Sequence, residues 1–147
     1  MTLSIMALSG CHGSVPRLAN CADAQNIKLI VERCYQGDLN TGHYVGDTVC
    51  FPFSKTERIA GFWYTDLEAS YFGSSPSGAR KAMTWLKVNN EPQAVTESMR
   101  GERPREFAVT FEGRRSLCPG SFGHMGMTSR EIVVERLISM APIPPGQ

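Results

Sequence analysis

Two long segments of this chain alternate apolar and polar residues with a period of two, and a glycine-rich stretch separates them. In REFAVTFEGRR, Phe107, Val109 and Phe111 fall on one face, and Ala108, Thr110 and Glu112 on the other. In REIVVERLISM, Ile132, Val134, Arg136 and Ile138 alternate with Val133, Glu135, Leu137 and Ser139. Successive side chains of a strand point to opposite faces, so this period specifies half-buried strands, with Phe107, Val109, Phe111, Ile132, Val134 and Ile138 expected inside. SLCPGSFGHMGMTS, between them, is too rich in glycine to continue either one.

The middle of the chain adds shorter strand candidates. Thr48-Val49-Cys50-Phe51 is one, ended by Pro52. RIAGFWYT (58–65) is aromatic and β-branched, ASYF (69–72) follows it, and GSSPSG then marks a loop. MTWLKV (83–88) alternates and is closed by the turn NNEP, and the polar residues 93–102 then read as one helical turn or a long loop. Residues 24–36 fit two periods at once. Ile27, Ile30, Val31 and Cys34 share a helical face, whereas Ile27, Leu29 and Val31 alternate as in a strand. The tail APIPPGQ is proline-broken and should fray.

With 147 residues the chain suits one domain, in which about 70% of the unfolded surface can be buried. Four or five strands in this length, with at most one short helix, predict an all-β fold: a small OB-like barrel, closed or partly open, of about five strands. The pattern V-x-F-E-G-R, glycine loop, E-I-V-V-E-R resembles the fourth and fifth strands of OB-fold proteins. GFWYTDLEASYF, GHMGM and EIVVERLIS together resemble a group of small proteobacterial lipoproteins with an OB-like barrel. That resemblance implies a barrel on the periplasmic face of a membrane in the bacterial cell envelope. It implies no reaction.

The N-terminal MTLSIMALSGC is apolar and uncharged up to Cys11. LSGC resembles the lipobox of bacterial lipoproteins, in which small residues precede a cleaved bond and the cysteine thiol carries the lipid. The competing reading is an apolar strand with a buried Cys11. No Lys or Arg precedes Arg17, so the usual basic start of such a signal is missing from these residues. On the lipoprotein reading, residues 1–10 are a signal-peptide remnant, 11–25 a tether, 26–142 the barrel domain and 143–147 a disordered tail. Cys21, Cys34, Cys50 and Cys118 then remain. Four cysteines make two disulfides in three connectivities, and the sequence does not choose among them. Two disulfides fit an exported protein in an oxidising compartment.

Chemistry-bearing residues are sparse. A net charge of +1 argues against a nucleic-acid partner. Asp66 and Glu68 form a carboxylate pair that could serve a hydrolase, but solvation explains it as well. Trp63, Tyr64, Glu68 and Trp85 are the candidate ligand-binding residues: an aromatic facing outward can stack on a sugar or a base, although most should fill the barrel. Trp63 and Tyr64 are adjacent, so one faces in and the other out. His124, Met125 and Met127 are a candidate set of soft Cu(I) or Ag(I) ligands, similar to periplasmic copper/silver chaperones that are also small OB barrels. The bland alternative is a glycine turn in which both methionines cover one barrel end and His124 lies near the surface.

The expected function is an exported, lipid-anchored binding or envelope-structure module. It is expected to be neither an enzyme nor a cofactor carrier, and its partners are the membrane through Cys11 and an envelope protein or glycan. A periplasmic metal carrier and a hydrolase using Asp66 and Glu68 are the alternatives. Mass spectrometry of the mature N-terminus in the native host tests the address: cleavage before Cys11 and diacylation of its thiol are expected. An intact Met1 or an unmodified Cys11 contradicts it.

Overall fold

A computed structural model describes residues 18, 20–36, 43–44, 46–66, 68–89 and 105–144. The expectations for Cys11, for residues 93–102 and for residues 145–147 lie outside the described residues.

Helix α1 spans Ile27–Cys34, which resolves the ambiguity at 24–36. Asn26 decides it. Its Oδ1 accepts the N–H of Lys28 at 3.1 Å and of Leu29 at 3.3 Å, satisfying donors that open a helix. Leu29, Ile30 and Cys34 then pack on the protein body. Two short strands follow, β1 (Tyr35–Gln36) and β2 (His43–Tyr44), paired antiparallel. The strand expected at 48–51 is instead a single helical turn, α2 (Asp47–Cys50). Gly46, at φ 96°, starts the turn, and its carbonyl accepts the N–H groups of Val49 and Cys50. The β-branched Thr48 and Val49 therefore lose to local backbone bonding. Phe51, before Pro52, is already extended.

The barrel is built from β3 (Glu57–Thr65), β4 (Ser70–Gly73), β5 (Thr84–Val88), β6 (Arg105–Arg115) and β7 (Arg130–Pro142). A third helical turn, α3 (Pro76–Ala79), lies between β4 and β5. The strand order is β3-β4-β5-β7-β6, closed by β6 on β3, as expected for an OB-like barrel. All neighbours are antiparallel except β5 and β7. Ile59, Trp63, Phe72, Leu86, Phe107, Val109, Phe111, Ile132 and Val134 fill the interior. Trp63 Nε1 donates to Ser70 Oγ at 2.9 Å, and that hydroxyl donates to the Leu86 carbonyl, so one buried relay ties β3, β4 and β5.

The simple alternation of β7 fails after Val134. Glu112 pairs with Arg136 and Gly113 with Val134, so Glu135 is an extra residue. Thr110 pairs with Ser139 and Phe111 with Leu137, so Ile138 is another. Each extra residue is a bulge that moves the inward phase by one. Leu137 and Met140 consequently pack on the core, and Ile138, expected inside, is 37% exposed. Gly113 permits the first bend, because a Cβ there would lie 2.4 Å from the Val133 carbonyl oxygen. The tail also departs from expectation: Ala141 and Pro142 belong to β7, and Ile143 N–H donates to the Glu106 carbonyl at 2.8 Å.

A second apolar cluster, Leu18, Ala24, Cys34, Cys50 and Cys118, joins the N-terminal segment to the barrel. Two disulfides form among the four cysteines, Cys21–Cys118 and Cys34–Cys50. Residues 18 and 20–25, assigned to a tether from sequence, are instead held. Leu18 is buried and its N–H donates to the Cys50 carbonyl, and Cys21 is covalently fixed.

Phe111 fills the barrel centre, so Phe111→Ala should cost about 3–5 kcal/mol in chemical denaturation. Ile138→Ala, at the bulge, should stay within about 0.5 kcal/mol of the parent. Equal losses at both positions would contradict the bulged register.

Candidate functional site

Residues on one strand face share a side of the barrel wall. Trp85 and Lys87, two apart on β5, both point outward, and so does Glu131 of the neighbouring β7. The N-terminal segment lies across them. Together they bound a cleft of about 900 Å³, lined by Ala24, Gln25 and Ile30 on one side, Trp85, Lys87 and Glu131 on the barrel, and the 119–123 loop beyond. Asp47 and Phe51 complete it.

The aromatic wall is tightly fitted. Phe51 and Phe122 meet edge to face with centroids 5.6 Å apart. Gly123, at φ 72°, lies flat against the indole of Trp85: a Cβ there would come within 2.3 Å of Cε3. Trp85 also meets Tyr71 edge to face at 6.0 Å, and Tyr71 stacks with Tyr64 at 6.4 Å. A row of half-buried rings thus runs from the cleft across β5, β4 and β3. Arg80 closes it, 5.7 Å from the Tyr64 ring centroid, while its Nε donates to Glu106.

The polar floor is a triad. Lys87 Nζ donates to Asp47 Oδ2. Glu131 is only 3% exposed and is hydrogen-bonded to Asp47. Burial pushes the Glu131 carboxyl up to about 8, the negative charge of Asp47 pushes the same way, and Lys87 opposes them. The Glu131 carboxyl is thus shifted toward its neutral form where it meets Asp47, beside the Lys87–Asp47 pair. Among the described residues, Glu131 Oε2 has no hydrogen-bond partner. Two carboxyls in hydrogen-bond contact share one proton. They also leave no room for the water or sugar carbon that separated glycosidase carboxyls, roughly 5–9.5 Å apart, accommodate.

The structure divides the residues singled out from sequence. Trp85 lines the cleft. Tyr64 belongs to the outer aromatic row. Trp63 does not: it is 1% exposed inside the barrel, which corrects its assignment to a binding surface. Glu68 is exposed in the turn after β3 and does not line the cleft. Asp66 shapes that turn. Its Oδ1 accepts the N–H groups of Glu68 and Ala69, and its Oδ2 accepts the Tyr64 hydroxyl. His124 and Met125 lie in a short 3-10 turn, His124–Gly126, with Met125 at φ 51°. Met125 is 86% exposed and Met127 61%, so neither covers the barrel end as expected. Among the described residues, no group of three His, Cys, Asp or Glu side chains could hold a metal ion.

Asp47, Lys87 and Glu131 were not legible as a site. The shared outward face of Trp85 and Lys87 is visible in MTWLKV. That Asp47 covers them is a tertiary fact with no sequence spacing to signal it. Comparison with protein families, curated proteins and solved structures finds no match for this chain.

A carboxyl raised in the folded state binds its proton more tightly there than in the unfolded chain. Its contribution is full below the ordinary value of 4.5 and is lost as pH rises through about 8. Denaturation measured across that window should show stability falling with pH, and Glu131→Gln should flatten the slope. An unchanged slope in the variant would show that Glu131 is not the titrating group.

Proposed function

We propose that this chain is an exported, lipid-anchored binding module without catalytic activity, and that it holds a glycan of the cell envelope in the cleft over Trp85. The observation that carries this reading is the cleft itself, with aromatic walls and a polar floor. A sugar ring offers an apolar C–H face to an indole or phenyl ring and hydroxyls to groups at its edge. Trp85 and Phe51 suit the first. The Asp47 carboxylate and the Lys87 ammonium suit the second, as acceptor and donor. Two disulfides and a cysteine left over at Cys11 support export and anchoring. The turn duties of Asp66 weigh against the hydrolase reading.

Titration with soluble envelope oligosaccharides, followed by tryptophan fluorescence, tests this. Trp63 is buried in the barrel, so a spectral shift reports Trp85. Saturable binding is expected, weakened by about tenfold or more in Trp85→Ala, as loss of a stacking aromatic typically does. No shift at millimolar sugar would remove the glycan reading, and release of new reducing ends would make the protein a hydrolase. Tight Cu(I) binding lost in Met125→Leu/Met127→Leu would instead favour the metal carrier.

A further inference from the structure

Among the described residues, five large apolar side chains are exposed: Met83, Leu117, Met125, Met127 and Ile138. Four of them share one end of the barrel. Met83 immediately precedes β5, Leu117 follows β6, and Met125 and Met127 precede β7. The register puts these strand ends together, since Thr84 pairs with Arg130 and Arg115 with Ile132. Arg130 bridges two of the four: its N–H donates to the Met83 carbonyl and its Nη1 to the Leu117 carbonyl. Soluble surfaces rarely gather such side chains without a partner.

The same end receives the N-terminal chain. Cys118, next to Leu117, is bonded to Cys21, and Leu18 packs into the same cluster as Cys118. Cys11 precedes the pinned Leu18 by seven residues (18 − 11). Seven residues of fully extended chain reach at most about 25 Å.

We propose that this barrel end rests on the phospholipid interface of the membrane to which Cys11 ties the chain. The inference uses the lipid-anchor reading of Cys11, and adds which face of the protein meets the bilayer. A tether this short keeps the apolar end beside the membrane at high effective concentration, so weak interfacial contact is enough. Methionine and leucine insert into the headgroup boundary. The exposed Lys55 and Lys81, at the same end, lie where they can meet anionic phosphates. No helix among the described residues is long and apolar enough to cross a membrane. In this pose the cleft lies on the flank of the barrel, close above the membrane surface.

The test does not depend on native processing. Cys11 is the one cysteine of five outside the two disulfides, so the full chain can be coupled there to a maleimide lipid in phosphatidylethanolamine/phosphatidylglycerol vesicles. Methionine oxidation by dilute peroxide is then followed by mass spectrometry. Met83, Met125 and Met127 should oxidise about fivefold or more slowly than in the uncoupled protein, because an interface excludes water from inserted side chains. Met140, which pairs with Val109 toward the other end of β7, serves as the reference and should not change. Leu117→Asp/Met127→Asp should restore the free rate at Met83 and Met125. Equal rates on and off vesicles would overturn the proposal. Protection that appears equally without lipid, and rises with protein concentration, would overturn it in favour of a second copy as the occupant. Failure of the anchor reading itself is separate: it appears as an unmodified Cys11 in the host while the vesicle result stands.

Discussion

The fold depends on one strand being paired along both edges. β6 takes nine partners from β3, Glu57↔Gly113 through Thr65↔Arg105, and on its other edge runs the length of β7. Without it the remaining strands are an open sheet with two free edges. Closing a barrel over so few strands forces sharp curvature on the long β6–β7 pair, and two bulges supply it. The bulges in turn choose which side chains reach the interior. Ile132 and Val134 do so on one phase, Leu137 on the next and Met140 after the second.

That geometry explains what could be read from the residues and what could not. The runs at 58–65, 83–88 and 105–115 appear as strands because β-branched and aromatic residues recur there, and 69–72 because its aromatics stand before a loop signal. Ile138 was misassigned because a bulge leaves no local mark when the added residue is itself apolar. Thr48 and Val49 carry the same β-branched signature as true strands, yet Gly46 and the Cys34–Cys50 bond turn them into α2. The cleft was the least legible feature. Glu131 looks like an ordinary outward residue of an alternating strand, and it is buried only because a distant segment folds across it.

Burial of Glu131 has a cost that the surroundings reduce. Lys87 is paired with Asp47, and Asp47 is hydrogen-bonded to Glu131, which favours the neutral form of the Glu131 carboxyl. The three side chains are thus held together by pairing and burial. A pre-organised polar floor of this kind loses little freedom when a ligand replaces water above it.

The two disulfides are nested, with Cys34–Cys50 inside the span of Cys21–Cys118. That arrangement has a consequence for biogenesis. A chain threaded from its N-terminus into an oxidising space presents Cys21 and Cys34 well before Cys118. Thiols joined in order of arrival would link Cys21 to Cys34 and strand Cys50 with Cys118. The native pattern requires Cys21 to wait until β6 has emerged and folded, or an early wrong pair to be exchanged afterwards by attack of a free thiolate. In a chain exported in this way, the Cys21 end of the cleft wall is fastened only after Cys118 has emerged, 97 residues later.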